Sequence, residues 1–461
     1  MKAGKSARSP RSTIKPLWKH QKASLKVYES QERVLDASDP GTGKTRVALQ
    51  AWYNRRLKGG GCLLVLAPRT LLQAAWGTDL EEYFPEVSYS VARAENREDA
   101  FKADVDVYIT NIDAVKWLAK QSKSFFKKFD SLIIDELTVY KHRTSDRSKA
   151  VASIAQYFKY RAGLTGTPNS NTILDVWHQV YILDDGKRLG TKFFAFRNAT
   201  CNPVQVGPRA EHLQWEDKPG AELGVAHLLS DITIRHEFEK CMDIPPNRER
   251  FMVYEPSAKL LKAYRQLEKD TILALKEKVV NAVNAAVLRN KLLQIASGAV
   301  YTGDESYEFI DDGRYEFVLD IVAKRKHSVV FFNWKHQRDG LVKYAKARGI
   351  EFEVIDGSVS DKRREEIRKA YQQGFFQTLL LHPETGAHGL TLTKGTATVW
   401  SSPVYRADFL KQGLHRIYRG GQTLPTETIM TEARGTCERK VYERVGTKSG
   451  RMSNFLEVLV G

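Results

Sequence analysis

The stretch RVLDASDPGTGKT, residues 33–45, constrains what this chain can fold into more tightly than any other. A short apolar run ends in a glycine-rich turn, and the turn opens into TRVALQAWYNRRL, whose apolar spacing is that of a helix. Strand, tight loop and helix in that order begin a βαβ unit, which commits the chain to a parallel sheet covered by helices. The turn also carries chemistry. Backbone N–H groups of Gly41, Thr42 and Gly43, at a helix N-terminus, can cradle phosphate oxygens. Lys44 can reach the β/γ-phosphates and the Thr45 hydroxyl can ligate Mg²⁺. The general phosphate-loop pattern has glycine where this chain has Ser38.

With 461 residues the chain has room for several domains. Between residues 33 and 182, apolar runs (VLDAS, CLLVLAP, DVYIT, SLIIDE, RAGLTGT) alternate with amphipathic segments, as in α/β folds. Over 186–310 most strand-length runs vanish, and a 3.6-residue period from Ser257 to Ser297 predicts a long helix, with a break near Asp270. Alternation resumes with SVVFFN, EFEVID, QTLLLH, ATVWSS and TETIMT. The expected organisation is a loose, disordered basic arm over 1–14 and a first α/β lobe over 15–185. A mostly helical insert and connector follows over 186–310, then a second α/β lobe over 311–461 that ends in a C-terminal helix.

Lys and Arg (72) exceed Asp and Glu (55) for a formal charge of +17, which favours a polyanionic partner. No run approaches the ~18 apolar residues of a spanning helix, and the basic start has no apolar segment after it, so a cytoplasmic protein is expected. Cys62, Cys201, Cys241 and Cys437 form no CxxC pair, and His142, His178 and His236 lack ligand spacing, which argues against a structural metal site.

Two further elements can handle phosphate. Asp135-Glu136 ends the apolar strand SLII, where α/β sheets bind ligands; Asp135 would hold Mg²⁺ and Glu136 would polarise the attacking water. In QGLHRIYRGGQ, residues 412–422, Arg416 and Arg419 are three residues apart, a spacing that puts them on one helical face and lets them stabilise charge on a γ-phosphate from the second lobe.

The ordered set DPGTGKT, LVLAPRTLLQAAW, LIIDELT, LTGTPNSNTILDVW, DGSVSDKRR, GAHGLTLT and QGLHRIYRGGQT resembles the superfamily-two helicases, and specifically their Swi/Snf branch. The resemblance extends over most of residues 15–445. It implies two RecA-like lobes that bind ATP and Mg²⁺ in the cleft between them and duplex DNA across both, with hydrolysis driving translocation. It further implies that Gln21 reads the adenine and that Gln412 belongs to the nucleotide site. Arg416 and Arg419 would act in trans, and Thr165, Gly166 and Thr167 would couple the site to DNA. Pro68, Arg69, Asn111, Asp356, Gly357, Ser358, Gly389 and Thr391 would lie along the strand path. Three positions depart from the family: Thr138 stands for its usual His, Ala387 for a glycine and Thr391 for an Asn.

The activity expected is a DNA-dependent ATPase that moves on DNA, compatible with a monomer; short for the family, the chain resembles its phage or bacterial members, which implies a bacterial or phage-infected cell. One alternative is a strand-separating DNA or RNA helicase; another is a non-catalytic, nucleotide-gated DNA clamp. Trp18, Trp76 and Trp177 are expected as packing residues, with Trp18 placed to flank the adenine.

Overall fold

The computed structural model describes residues 15–168, 172–205, 213–276, 282–302, 306–386 and 390–446. The 1–14 arm and Gly389 lie outside the described residues. The first lobe is built on a sheet of β1 (Arg33–Asp36), β2 (Cys62–Ala67), β3 (Tyr89–Ala92), β4 (Val107–Asn111), β5 (Phe129–Asp135) and β6 (Tyr160–Leu164). An antiparallel hairpin, β7 (Cys201–Gln205) with β8 (Leu213–Asp217), interrupts it before β9 (Thr233–Ile234) completes it. The order is β3-β4-β2-β5-β6-β1-β9, every pair parallel. Alternation explains why β2 is apolar at every position. Leu63 and Val65 pack into the core on one face and Leu64 and Leu66 into the core on the other, so both faces are covered.

The second sheet runs β10 (Asn247–Tyr254), then β13 (Ser328–Phe331), β14 (Phe352–Ile355), β15 (Thr378–Leu381), β16 (Ala397–Trp400) and β17 (Thr426–Ala433), with a small antiparallel pair, β11 (Ala299–Tyr301) and β12 (Tyr307–Phe309), beside it. Its order, β10-β17-β16-β13-β15-β14, is again all parallel. Two parallel sheets clothed in helices make the two RecA-like lobes.

The middle of the chain differs from the helical insert that its pattern predicts. Within 186–310, β9 belongs to the first sheet and β10 to the second, so the lobes hand over at 235–246. β10 escapes the pattern because it is an edge strand: paired on one side only, its Arg248, Glu249 and Arg250 are exposed, and no apolar run is needed. The helix Ala258–Lys276 continues past Asp270, and a second one spans Ala282–Ala296. Residues 438–446 are helical, and Glu438 there meets Arg314 of the helix Gly313–Ala323 at 2.9 Å, both side chains fully buried.

Candidate functional site

The carboxyl ends of β1, β5 and β6 open onto a cavity of about 1130 Å³ between the lobes, faced from the second lobe by the helix Ala407–Ile417 and the turn after it. Gly41 and Gly43 have φ of 86° and 78°, left-handed values that only glycine adopts without cost. A Cβ on Gly43 would also lie 2.2 Å from the Gln21 amide nitrogen. Lys44 Nζ donates to the carbonyls of Ser38 and Asp39, at 2.6 and 3.0 Å. Gln21 is buried on the loop, its Oε1 accepting from the Trp18 N–H and its Nε2 near the Thr42 and Gly43 carbonyls. Thr42 turns its hydroxyl to the Asp39 carbonyl, whereas Thr45 lines the cavity. Ser38 has a use of its own: its hydroxyl accepts from the His236 N–H and ties the loop to the segment after β9.

Asp135 and Glu136 stand opposite the loop. Glu136 has φ 57°, a left-handed value in a non-glycine residue and a local strain of about 1–3 kcal/mol. Burial raises both carboxyls. For Glu136, burial and then the charge of Asp135 outweigh the pull of Lys44, and its pKa is pushed up to about 7. Asp135 Oδ2 accepts from the indole N–H of Trp76 at 3.0 Å. Trp76 is fully buried in a π-helical segment, Leu72–Gly77, so it packs as expected and holds a site carboxylate as well.

From the second lobe, Gln412 Nε2 donates to Glu136 Oε1 at 3.4 Å, a hydrogen bond across the cleft. Arg416 and Arg419 meet, but not by sharing a helical face. The backbone leaves helical geometry at His415, the helix ends at Ile417 and Arg419 follows it. The two guanidiniums converge on the Leu390 carbonyl instead, at 3.3 and 3.5 Å. Burial lowers the pKa of both.

A third element crosses the cleft beside them. Asp39 Oδ1 pairs with Lys411 of the second lobe at 2.7 Å and with Arg235 at 2.5 Å, and Asp39 Oδ2 accepts from the Phe238 N–H at 3.0 Å. Burial alone would raise the Asp39 carboxyl, yet Lys411 and Arg235 hold it well below the usual carboxylate range. These partners lie far apart in the chain, so spacing gave no signal for them. Arg46 and Tyr83 were also missed. Arg46 directly follows Thr45 and stacks 3.9 Å from the Tyr83 ring on the cavity wall, beside Asp79, whose carboxyl burial and Glu82 raise to about 7.

Thr165, Gly166 and Thr167 line the cavity. Thr138, in place of the family's His, still reaches them, its hydroxyl 2.5 Å from that of Thr165 and 3.2 Å from the Thr167 carbonyl. Of the expected strand path, Arg69 and Thr391 line this same cavity, and Arg69 pairs across the cleft with Asp361 at 3.4 Å. Pro68 precedes Arg69 after β2, and Asn111 ends β4, accepting from Arg97 at 3.2 Å. Asp356, Gly357 and Ser358 follow β14, with Asp356 accepting from the Ser358 N–H at 2.9 Å.

The sequence matches two family models: Type III restriction enzyme, res subunit, over residues 11–170, and Helicase conserved C-terminal domain over 313–421. Putative protein p41 of Acyrthosiphon pisum secondary endosymbiont phage 1 is 28% identical, over 91% of this chain and 93% of its own length. The mouse Chromodomain-helicase-DNA-binding protein 1-like is 22% identical over 92% of this chain. These matches make the chain similar to helicase superfamily two, in its Swi/Snf-like branch. The putative ATP-dependent helicase/translocase YwqA of Bacillus subtilis is also 22% identical, over 94% of this Swi/Snf-like chain. The chain spans under half the length of the mouse and Bacillus proteins (48% and 47%). A solved structure, the Sulfolobus solfataricus SWI2/SNF2 ATPase core in complex with dsDNA, is similar at TM-score 0.45 and 19% identity, over 98% of this chain and 96% of that one. With both family models matched and ATP-dependent helicases among its relatives, the chain is a helicase-type ATPase. Among its described residues no helix is long and apolar enough to cross a membrane.

Proposed function

We propose that this ATPase drives movement along DNA, duplex by preference, with ATP hydrolysed in the cleft between the lobes. The observation that carries the reading is the facing of the two walls, with Lys44 and Glu136 on one, Arg416 and Arg419 on the other, and Gln412 joined to Glu136 across them. Lys44 and the backbone of Gly41–Gly43 bind the phosphates, and Gln21 and Trp18 border the base. Glu136 orients and deprotonates water, and the two arginines neutralise charge that develops on the transferred phosphoryl group.

The donor set fits Mg²⁺. Thr45 and Asp135 supply hard oxygens on the same cavity, and among the described residues no cluster of three His, Cys, Asp or Glu side chains makes an all-protein cage. That suits a cation held by few protein oxygens and by the substrate's phosphates. When bound, Mg²⁺ neutralises phosphate charge.

DNA spanning both lobes would hold the cleft closed and keep the arginines on the phosphates, so duplex should accelerate turnover. The test is steady-state ATP hydrolysis without nucleic acid and with duplex DNA, single-stranded DNA or structured RNA. Duplex stimulation is expected, and Glu136→Gln should lower turnover about 100-fold or more while ATP still binds. Stimulation by RNA or single strands alone would favour the strand-separating alternative, and nucleotide binding without turnover would favour the clamp.

A further inference from the structure

A second cationic surface lies outside the cleft, where the insert between β6 and β9 meets the segment that follows β5. Arg143 stacks 4.6 Å from the ring centre of Phe193 and 4.9 Å from that of Phe194. Arg197 lies 4.9 Å from the same Phe194 ring and 3.7 Å from the Trp215 ring on β8. Phe194 is 55% exposed, although a large aromatic at the surface gains nothing from burial there. Among the described residues neither Arg143 nor Arg197 forms an ion pair. The nearby Asp217 carboxylate accepts from the Ile173 N–H.

A guanidinium lying on an aromatic face loses its freedom to wander but keeps its in-plane N–H donors, the geometry that meets a phosphate in a fork. Two such groups at one ring offer neighbouring phosphates a fixed, uncompensated pair of cations. The location fits a nucleic acid rather than an acidic protein. Arg143 lies a few residues beyond the carboxyl end of β5, and the helix after it carries Arg147, which pairs with Asp113 at 3.7 Å. Tyr140 donates to the Ile112 carbonyl at 2.8 Å. The ledge therefore adjoins the Asn111–Asp113 turn that the proposed DNA path follows.

We propose that Arg143, from the segment after β5, and Arg197, from the insert, seated on Phe193, Phe194 and Trp215, form a DNA-backbone contact separate from the nucleotide cleft. The inference rests on the DNA-motor reading and adds to it a site where DNA is held whatever nucleotide occupies the cleft.

The experiment is fluorescence anisotropy of a fluorescein-labelled duplex over a salt series, with the full chain. The variants are Arg143→Ala combined with Arg197→Ala, and Phe194→Leu. Loss of two phosphate contacts should lower the slope of log affinity against log salt by about 1.8. ATP hydrolysis without DNA should stay unchanged, because neither arginine touches the cleft. Phe194→Leu keeps both charges, so its slope should match wild type while its affinity falls, a pattern that general unfolding would not give. An unchanged slope and affinity in the double variant, with wild type binding normally, overturns this inference alone. Wild type that binds no DNA overturns the motor reading, and this inference with it.

Discussion

Trp76 shows how much a single side chain can add to chemistry that it does not perform. Its indole N–H fixes one oxygen of Asp135, leaving the carboxylate a defined direction toward the cavity. Phenylalanine fills nearly the same space without the donor, so Trp76→Phe should keep the fold while raising the Mg²⁺ concentration needed for half-maximal ATP hydrolysis about 10–100-fold, the usual cost of losing a partner behind a metal ligand. Mn²⁺ binding followed by paramagnetic resonance should shift in parallel; unchanged Mn²⁺ affinity would reduce Trp76 to packing. The phosphate loop and the Asp135-Glu136 pair were legible in the sequence because each is a contiguous string whose chemistry is local. The hydrogen bond from Trp76 was not, since 59 positions separate it from its acceptor and nothing in LLQAAW distinguishes a core tryptophan from one that also donates.

The helix Ala407–Ile417 depends on close approach. A Cβ on Gly413 would fall 2.6 Å from Trp400 and 3.1 Å from Phe331, two rings stacked 4.2 Å apart at the centre of the second sheet. Gly413→Ala should therefore push the helix off the sheet and destabilise the lobe by about 1–3 kcal/mol, measurable by urea unfolding. Its effect on catalysis should be larger than its effect on stability, because Gln412 and Arg416 flank the glycine and must reach across the cleft. Wild-type turnover in a variant with lowered stability would show that the arginines tolerate the shift. Sequence spacing found these arginines but gave the wrong reason for their meeting: the kink at His415 and the carbonyl of Leu390 bring them together, and neither has a signature in the residue order.

Across the whole molecule, the ion pairs described between the lobes are of two kinds. Arg69 and Arg93 pair with Asp361 near the surface, at 3.4 and 3.7 Å, where salt screens them. Asp39 and Lys411 are buried. Removing one partner of that buried group should not be symmetrical. Lys411→Met leaves Asp39 still matched by Arg235, whereas Asp39→Asn leaves two buried cations without their carboxylate and should cost about 3–5 kcal/mol in unfolding free energy. Equal losses from the two substitutions would mean that Arg235 contributes nothing to holding Asp39. The two-lobe plan was visible in the alternation of apolar runs, but the hand-over between lobes was not, because β10 carries the charges of an edge strand. Among the described residues, the backbone passes from one sheet to the other once, through 235–246. Fully stretched, that leash reaches about 40 Å at most. It also touches both machines it joins, with Arg235 on Asp39 and Phe238 against Gly41 and His415. Any movement of one lobe against the other is therefore bounded by a strap anchored at both ends of its travel, on the glycine-rich loop and on the helix Ala407–Ile417.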